Sequence, residues 1–312
     1  MAVVKEPEVL SPETEEQHEV VGRGRLVWRR FRRRKLAIAG LVVLVGMFVL
    51  AFVGPHLTHW GYLDQDLENG LRSPYRDHFF GTTQLGQDVF VRTMKGLQKS
   101  LVIGMLTAFF STGTAAVVGA SAGYFGGWAD RILMWIVDLL LVLPSFIIIA
   151  ILSPQFRGKT WLLFVIVLAA FSWMITARIV RGLTLSLRER EYVQAARFMG
   201  VPSRTIIFRH ILPNMSSFLI IDATLNVGGA ILAESGLSYF GFGVQFPDVS
   251  LGNLIFDGTP SALTPYWWSF FFPSVLLIIT VLAVNVIGDG LRDALDPNSS
   301  AVKAVTATGA AK

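Results

Sequence analysis

Five polar side chains fall inside long apolar runs of this chain: Asp138, Asp222, Asn226, Glu234 and Asn285. An ionisable group at membrane depth is expensive, so it is expected to serve a solute pathway or to hydrogen-bond neighbouring helices. Asp222 stands about two turns from one end of its run, within reach of the interface or an arginine, and Glu234 lies near the other end. Helix–helix hydrogen bonding is the expected role. Contact with a solute, on a path or at a gate, is the alternative for Asp138, Asp222, Asn226 and Glu234. Other chemistry is thin. Gly158-Lys159-Thr160 imitates the end of a phosphate-binding loop, but the glycine required five residues earlier is Ser153. No Ser-His-Asp arrangement, paired-carboxylate site or HExxH occurs. The chain has no cysteine, which removes disulfides, thiolate metal sites and thiol nucleophiles. His56 and His59 are close, yet no further metal ligands accompany them. No catalytic residue and no metal site are expected. Asn298-Ser299-Ser300 matches a glycosylation sequon but falls on an expected cytosolic tail.

The composition says what must hold these residues. The chain is 53% hydrophobic and only 16% charged, with a mean hydropathy of +0.54, outside the range of an ordinary soluble domain. A net charge of +5 could suit nucleic acid, but the basic residues cluster in a few loops, as membrane orientation requires. Crossing ~30 Å of hydrocarbon takes roughly 20 residues. Runs at 36–57, 101–123, 132–152, 161–177, 215–239 and 269–288 qualify, the fourth being the shortest. The expectation is an all-α integral membrane protein with six transmembrane helices over 36–290. A 1–35 tail precedes them and a 291–312 tail follows. Residues 5–24 are acidic, contain proline and read as disordered or loosely attached. The polar start of the chain does not resemble a signal peptide.

Nine Lys and Arg precede the first run, seven lie between Arg178 and Arg209, and none lies in the 240–268 loop. The positive-inside rule puts both termini and the 178–214 loop in the cytosol, with loops 58–100 and 240–268 outside. Arg92, Lys95 and Lys99 run against this, on the outer side, after the first span has set the topology. Tyr266-Trp267-Trp268 is expected to form an interfacial aromatic belt. Thr107, Ser111, Ala115, Gly119, Gly123 and Gly127 recur every four residues, a stride that keeps small residues on one face as a packing seam. Pro144 and Pro273 fall inside spans and are expected to kink them.

The 178–214 loop is polar-rich. Residues 186–199 read as an amphipathic helix, with Gly200 as its C-terminal cap and Pro202 opening the next helix. Ala195 and Ala196 leave a smooth patch beside Tyr192 and Met199. Such a helix suits a groove on another protein. With five arginines between Arg181 and Arg204, it also suits an anionic lipid surface.

Gln194-Ala195-Ala196, then Gly200, then Leu212-Pro213 resembles the EAA box of binding-protein-dependent ABC importer permeases, with Gln194 in place of the usual Glu. Arg209-His210-Ile211-Leu212-Pro213-Asn214 is similar to the peptide/nickel branch. So are Phe80-Gly81-Thr82-Thr83-Gln84-Leu85-Gly86-Gln87-Asp88-Val89, the 233–245 segment and the 288–297 segment. Thr83 and Gln87 depart from that branch's usual Asp and Arg, and Asp222 is also unusual for it. The match spans about residues 30 to 297 and is nearest to the C-type subunits of dipeptide permeases. The resemblance implies a type I ABC importer permease fold in the bacterial cytoplasmic (inner) membrane, working by alternating access for peptides or related small solutes. It implies that Glu191, Tyr192, Gln194, Ala195, Ala196, Met199, Gly200, Val201, Pro202 and Arg204 couple the chain to an ATPase. The implied partners are a homologous second permease, two ATPase subunits and an extracytoplasmic binding protein, with no nucleic acid. ATP and Mg2+ would be bound by the ATPases and no cofactor by this chain. An ion-coupled secondary transporter and a non-transporting membrane scaffold are the alternative classes, although no inverted internal repeat is evident.

Overall fold

In a computed structural model, residues 23–156 and 161–295 are described; residues 1–22, Gly158-Lys159-Thr160 and the Asn298 sequon lie outside them. Runs of apolar residues without interrupting charge leave the backbone one way to satisfy its polar groups in lipid, which is to close them within helices. The first are α1 (Arg23–Arg32) and α2 (Lys35–Val53). Nineteen residues at 1.5 Å each give α2 a length of about 28 Å. Residues 23–35, assigned to the tail by composition, are thus largely helical. Phe31 is buried, its ring edge beside Gly290, and Arg34 pairs with Asp293 at 3.0 Å.

The third helix, α3 (Val89–Phe125), has 37 residues and begins twelve positions before the expected second span. Its Asp88 cap accepts from the Val91 N–H at 2.8 Å, and Gly126, at φ +65°, ends it. About 55 Å long, it outruns the hydrocarbon by some 25 Å. Hydropathy alone missed that extension because residues 89–100 mix apolar and charged types.

The expected third and fourth spans are each broken. α4 (Gly127–Val142) and α5 (Ser145–Leu152) meet at 77°, and α6 (Trp161–Ser172) and α7 (Met174–Arg188) at 47°. Pro144 therefore does not kink a continuous helix. Lacking an N–H and disfavouring α conformation in the residue before it, it separates two helices. Pro273, in contrast, sits inside a helix that continues through it.

The chain goes on through α8 (Glu191–Phe198), the single turn α9 (Ser203–Thr205), a π-helical stretch (Ile206–Ile211), the single turn α10 (Leu212–Asn214) and α11 (Ser216–Tyr239). It ends with α12 (Leu251–Gly258) and α13 (Trp268–Leu295). Among the described residues, four helices (α2, α3, α11 and α13) are long and apolar enough to cross a membrane, and up to six crossings result when each bent pair counts as one. Helix α3 is central, touching α7, α11, α6, α2 and α4. One end of the bundle carries α1, α8 and most of the arginines. The other carries Trp267, Trp268 and the 54–88 loop.

Candidate functional site

At the arginine end, α8 stands apart from the spans. The 186–199 helix expected from sequence is two: α7 runs to Arg188, and α8 starts after Arg190 adopts extended backbone. Gly200, at φ +75°, closes α8, its N–H bonding Arg197 O while the Val201 N–H bonds Ala196 O, both at 3.0 Å. A left-handed position at C′ favours glycine because a Cβ would strain it. Pro202 then caps α9.

This geometry divides the residues expected to couple the chain to an ATPase. Val193 and Ala196 point inward and pack with Ala120, Val180, Ile206, Ile207 and Ile211. Ala196 is thus an anchor beneath the surface rather than part of a smooth outer patch; its Cβ lies on the face that holds α8 to the bundle. Val201 is half-buried against the same cluster. Glu191, Tyr192, Gln194, Ala195, Met199, Gly200, Pro202 and Arg204 are exposed. So is Phe198, at 87%, which the sequence reading passed over. Its position, three after Ala195 and beside Met199, is the available signal. Under α8 lies a cavity of about 660 Å³, bordered by Tyr124, Phe125, Arg188 and Gln194. Arg188 donates to Gly123 O at 3.1 Å, tying the end of α7 to the end of α3.

The small-residue seam of α3 faces α7. Ser111 and Ala115 are buried. A Cβ on Gly119 would lie 2.4 Å from Ala177 O, and one on Gly123 would lie 2.7 Å from Thr184 Cβ. The close approach requires glycine at both.

The polar groups at depth separate into three sets. Asp222 accepts from Thr112, Thr176 and Asn226, each at 2.9 Å, joining α3, α7 and α11. Glu234 is wholly buried and accepts from Ser238 at 2.6 Å, Ser100 at 2.8 Å and Ser235 at 3.3 Å. Ser100 in turn accepts from the Leu251 N–H at 3.2 Å, so α12 joins the network. Enclosed on all sides, Glu234 touches no passage in this conformation; burial moves it from the pathway candidates to the helix-bonding group. Asp138 pairs with Arg178, both more than half exposed, while Asp130 binds Arg181 through two bonds between the same helices, α4 and α7. Asn285 donates back to Val281 O of its own helix, at 3.0 Å.

At the aromatic end, Trp268 is buried and donates to Thr82 O at 3.0 Å, so it belongs to the fold and not to a belt. Tyr266 and Trp267 remain exposed. The Thr83 hydroxyl accepts from the Gln87 N–H at 3.1 Å, closing the loop locally at both positions that depart from the branch's pattern. His78 is buried between Asp88, at 2.6 Å, and Asp66, at 3.8 Å, and stacks on Trp60. A hydrogen bond from the Asn69 amide holds the Asp66 carboxyl below the usual range. His59 also lies against Trp60. Arg92 meets Asp257 at 3.3 Å and Lys99 meets Asp248 at 2.8 Å. These acids, from the 240–268 segment, neutralise two of the cations that stood against the orientation rule.

Comparison with known proteins follows the same outline. Residues 115–300 match the family described as binding-protein-dependent transport system inner membrane component, and residues 22–74 match the N-terminal TM domain of oligopeptide transport permease C. The chain is 54% identical to the oligopeptide transport system permease protein OppC of Mycobacterium tuberculosis, over 91% of this chain and 98% of that protein. It is 41% identical to the dipeptide transport system permease protein DppC of Bacillus subtilis, over 86% and 84% respectively. Among solved structures, the inward-facing MetNI methionine ABC transporter matches with a TM-score of 0.52 and 20% identity, covering 65% of this chain and 96% of that one, a likeness of fold. The chain belongs to the family of binding-protein-dependent transport system inner membrane components, as a multi-pass permease subunit of an ABC importer.

Proposed function

We propose that this subunit forms half of a passage for peptides and that α8 is the joint through which partner ATPases move it. The names of its relatives, an oligopeptide and a dipeptide permease, support the substrate class. The observation that carries the joint is the two-sided build of α8. Val193 and Ala196 fasten it to α3, α7 and the π-helical stretch, while Tyr192, Ala195, Phe198 and Met199 are left exposed outside the bundle. A short anchored helix with an apolar outer face fits a groove on another protein. On this reading the arginine end is cytosolic and both termini lie there, in keeping with its Lys and Arg excess. The binding protein meets the aromatic end, and a homologous second permease completes the passage. ATP and Mg2+ belong to the ATPases. Closure of the ATPase pair biases the permease between two packings.

The face bearing Asp138 and Arg178 is assigned to the passage. The pair stands about ten residues from the end of α7, roughly 15 Å along the helix, and its side chains are 57% and 51% exposed. Charges in hydrocarbon are costly and turn towards water or a partner, so this face is not lipid-facing.

Phe198→Asp and Met199→Asp test the joint. Both side chains are exposed enough to leave the fold intact, and each is expected to weaken ATPase co-purification by about 30-fold, the loss typical of an interface hot spot at ~2 kcal/mol. Full retention of the ATPase with normal uptake would make α8 a lipid-lying helix instead.

A further inference from the structure

At the aromatic end a cavity of about 530 Å³ opens between the 71–87 loop, the first turns of α3 and the connection from α12 to α13. Leu85, Val89 and Pro260 supply apolar wall, Gln87 and Ser269 supply polar groups, and Arg92 and Asp257 bring opposite charges to the same space. Arg92 is only 15% exposed, and among the described residues its guanidinium makes one hydrogen bond, to Asp257 at 3.3 Å. A charge-assisted bond is usually about 2.7–2.9 Å, so the contact is loose. A guanidinium carries five N–H donors in a planar fork that matches a carboxylate. Most of them are free here, in a largely desolvated wall. Asp257 is 53% exposed and has a face open to a cation.

A polyanion such as phosphate would be repelled by Asp257, and an uncharged solute would offer neither side chain an opposite charge. A small zwitterion satisfies each. The volume falls within the ~300–1,000 Å³ of ordinary small-ligand sites, and a short peptide spans only ~3.5 Å per residue between its ends. We propose that this cavity is a receiving site for a short peptide, with Arg92 taking the terminal carboxylate and Asp257 the terminal ammonium. The proposal rests on the peptide-importer reading above and adds a contact made by the permease itself, outside any binding protein. The loose Arg92–Asp257 pair lets a carboxylate share the guanidinium without first breaking a strong bond.

The test uses the assembled transporter in nanodiscs without its binding protein, titrated with trialanine, trialanine amide and N-acetyl-trialanine, with binding read by saturation-transfer NMR. Trialanine is expected to bind saturably, and each capped peptide at least about ten-fold more weakly, the size of one charge-assisted hydrogen bond. Arg92→Gln should erase the difference between acid and amide, and Asp257→Asn the difference between amine and acetyl. Ser261→Trp, which fills the cavity without touching the ion pair, should abolish binding and guards against an Arg92 variant that misfolds. Absence of saturable trialanine binding, or an acid preference that survives Arg92→Gln, overturns the site. So does a result in which Arg92→Gln weakens only capture of the binding protein, which would make the cavity a docking contact. Uptake of trialanine by the complete wild-type system separates the two levels: its failure strikes the peptide reading, whereas uptake without permease binding strikes this site alone.

Discussion

Glu234 shows how much one residue can hold. Among the described residues no cation pairs with its carboxyl group; Ser100, Ser235 and Ser238 supply the donors, and Ser100 passes the link to Leu251. Glu234→Leu leaves those hydroxyls unpaired at about 1–3 kcal/mol for each buried group, so the melting temperature in detergent should fall by several degrees. Glu234→Gln keeps an acceptor and should fall less; equal losses would argue against the serine network. Asp66 allows a pH prediction. Its carboxyl is held low in the folded state, so what it contributes is fully present above the unfolded value near 4 and is lost only as pH falls through the lower folded value. Protease protection of the 54–88 loop should therefore fall as pH drops below about 4, and fall less in Asp66→Asn. Asp222 and Glu234 were legible as polar groups at depth because hydrocarbon makes any charge conspicuous. Their partners were not, since Thr112 lies 110 positions from Asp222 and Ser100 lies 134 from Glu234. Nothing in local spacing encodes such a meeting.

Helices were readable where their apolar length matched the bilayer, and unreadable where they bent or left it. The break at Trp173, between α6 and α7, has no proline to announce it, and the first turns of α3 carry Arg92, Lys95 and Lys99. The seam on α3 was visible as a stride of small residues, but α7 as its occupant was not. Two glycines of α3 test it. Gly119→Ala drives a methyl to 2.4 Å from Ala177 O and should cost more than the ~1–3 kcal/mol of ordinary overpacking. Gly113 has open space around it, and Gly113→Ala should leave the melting temperature unchanged or slightly raised. The passage face is testable because the chain has no native cysteine. Ile175→Cys, three residues before Arg178 and on the same face of α7, should react with a membrane-impermeant thiol reagent. Ile132→Cys, on the stripe of α4 with Ile136 and Leu139 that turns away from Asp138, should not. Equal labelling of the two would remove Asp138 and Arg178 from the passage.

At the scale of the molecule, counting each bent pair as one crossing returns the chain to the arginine end. Alkaline phosphatase inserted after the fully exposed Leu263 should be active, and the same enzyme fused to the C-terminus inactive; the reverse pattern would invert the proposed orientation. The far ends of the bundle are joined by one uninterrupted element. Ala120 and Tyr124 of α3 touch the cluster under α8, and Arg92 of the same helix borders the cavity at the other end. A stiff shaft about 55 Å long that tilts by ~10° swings its tip through roughly 10 Å. Rocking α3 at the energised side would thus arrive at the receiving side as a stroke wider than a peptide backbone, with no relay of small local shifts in between.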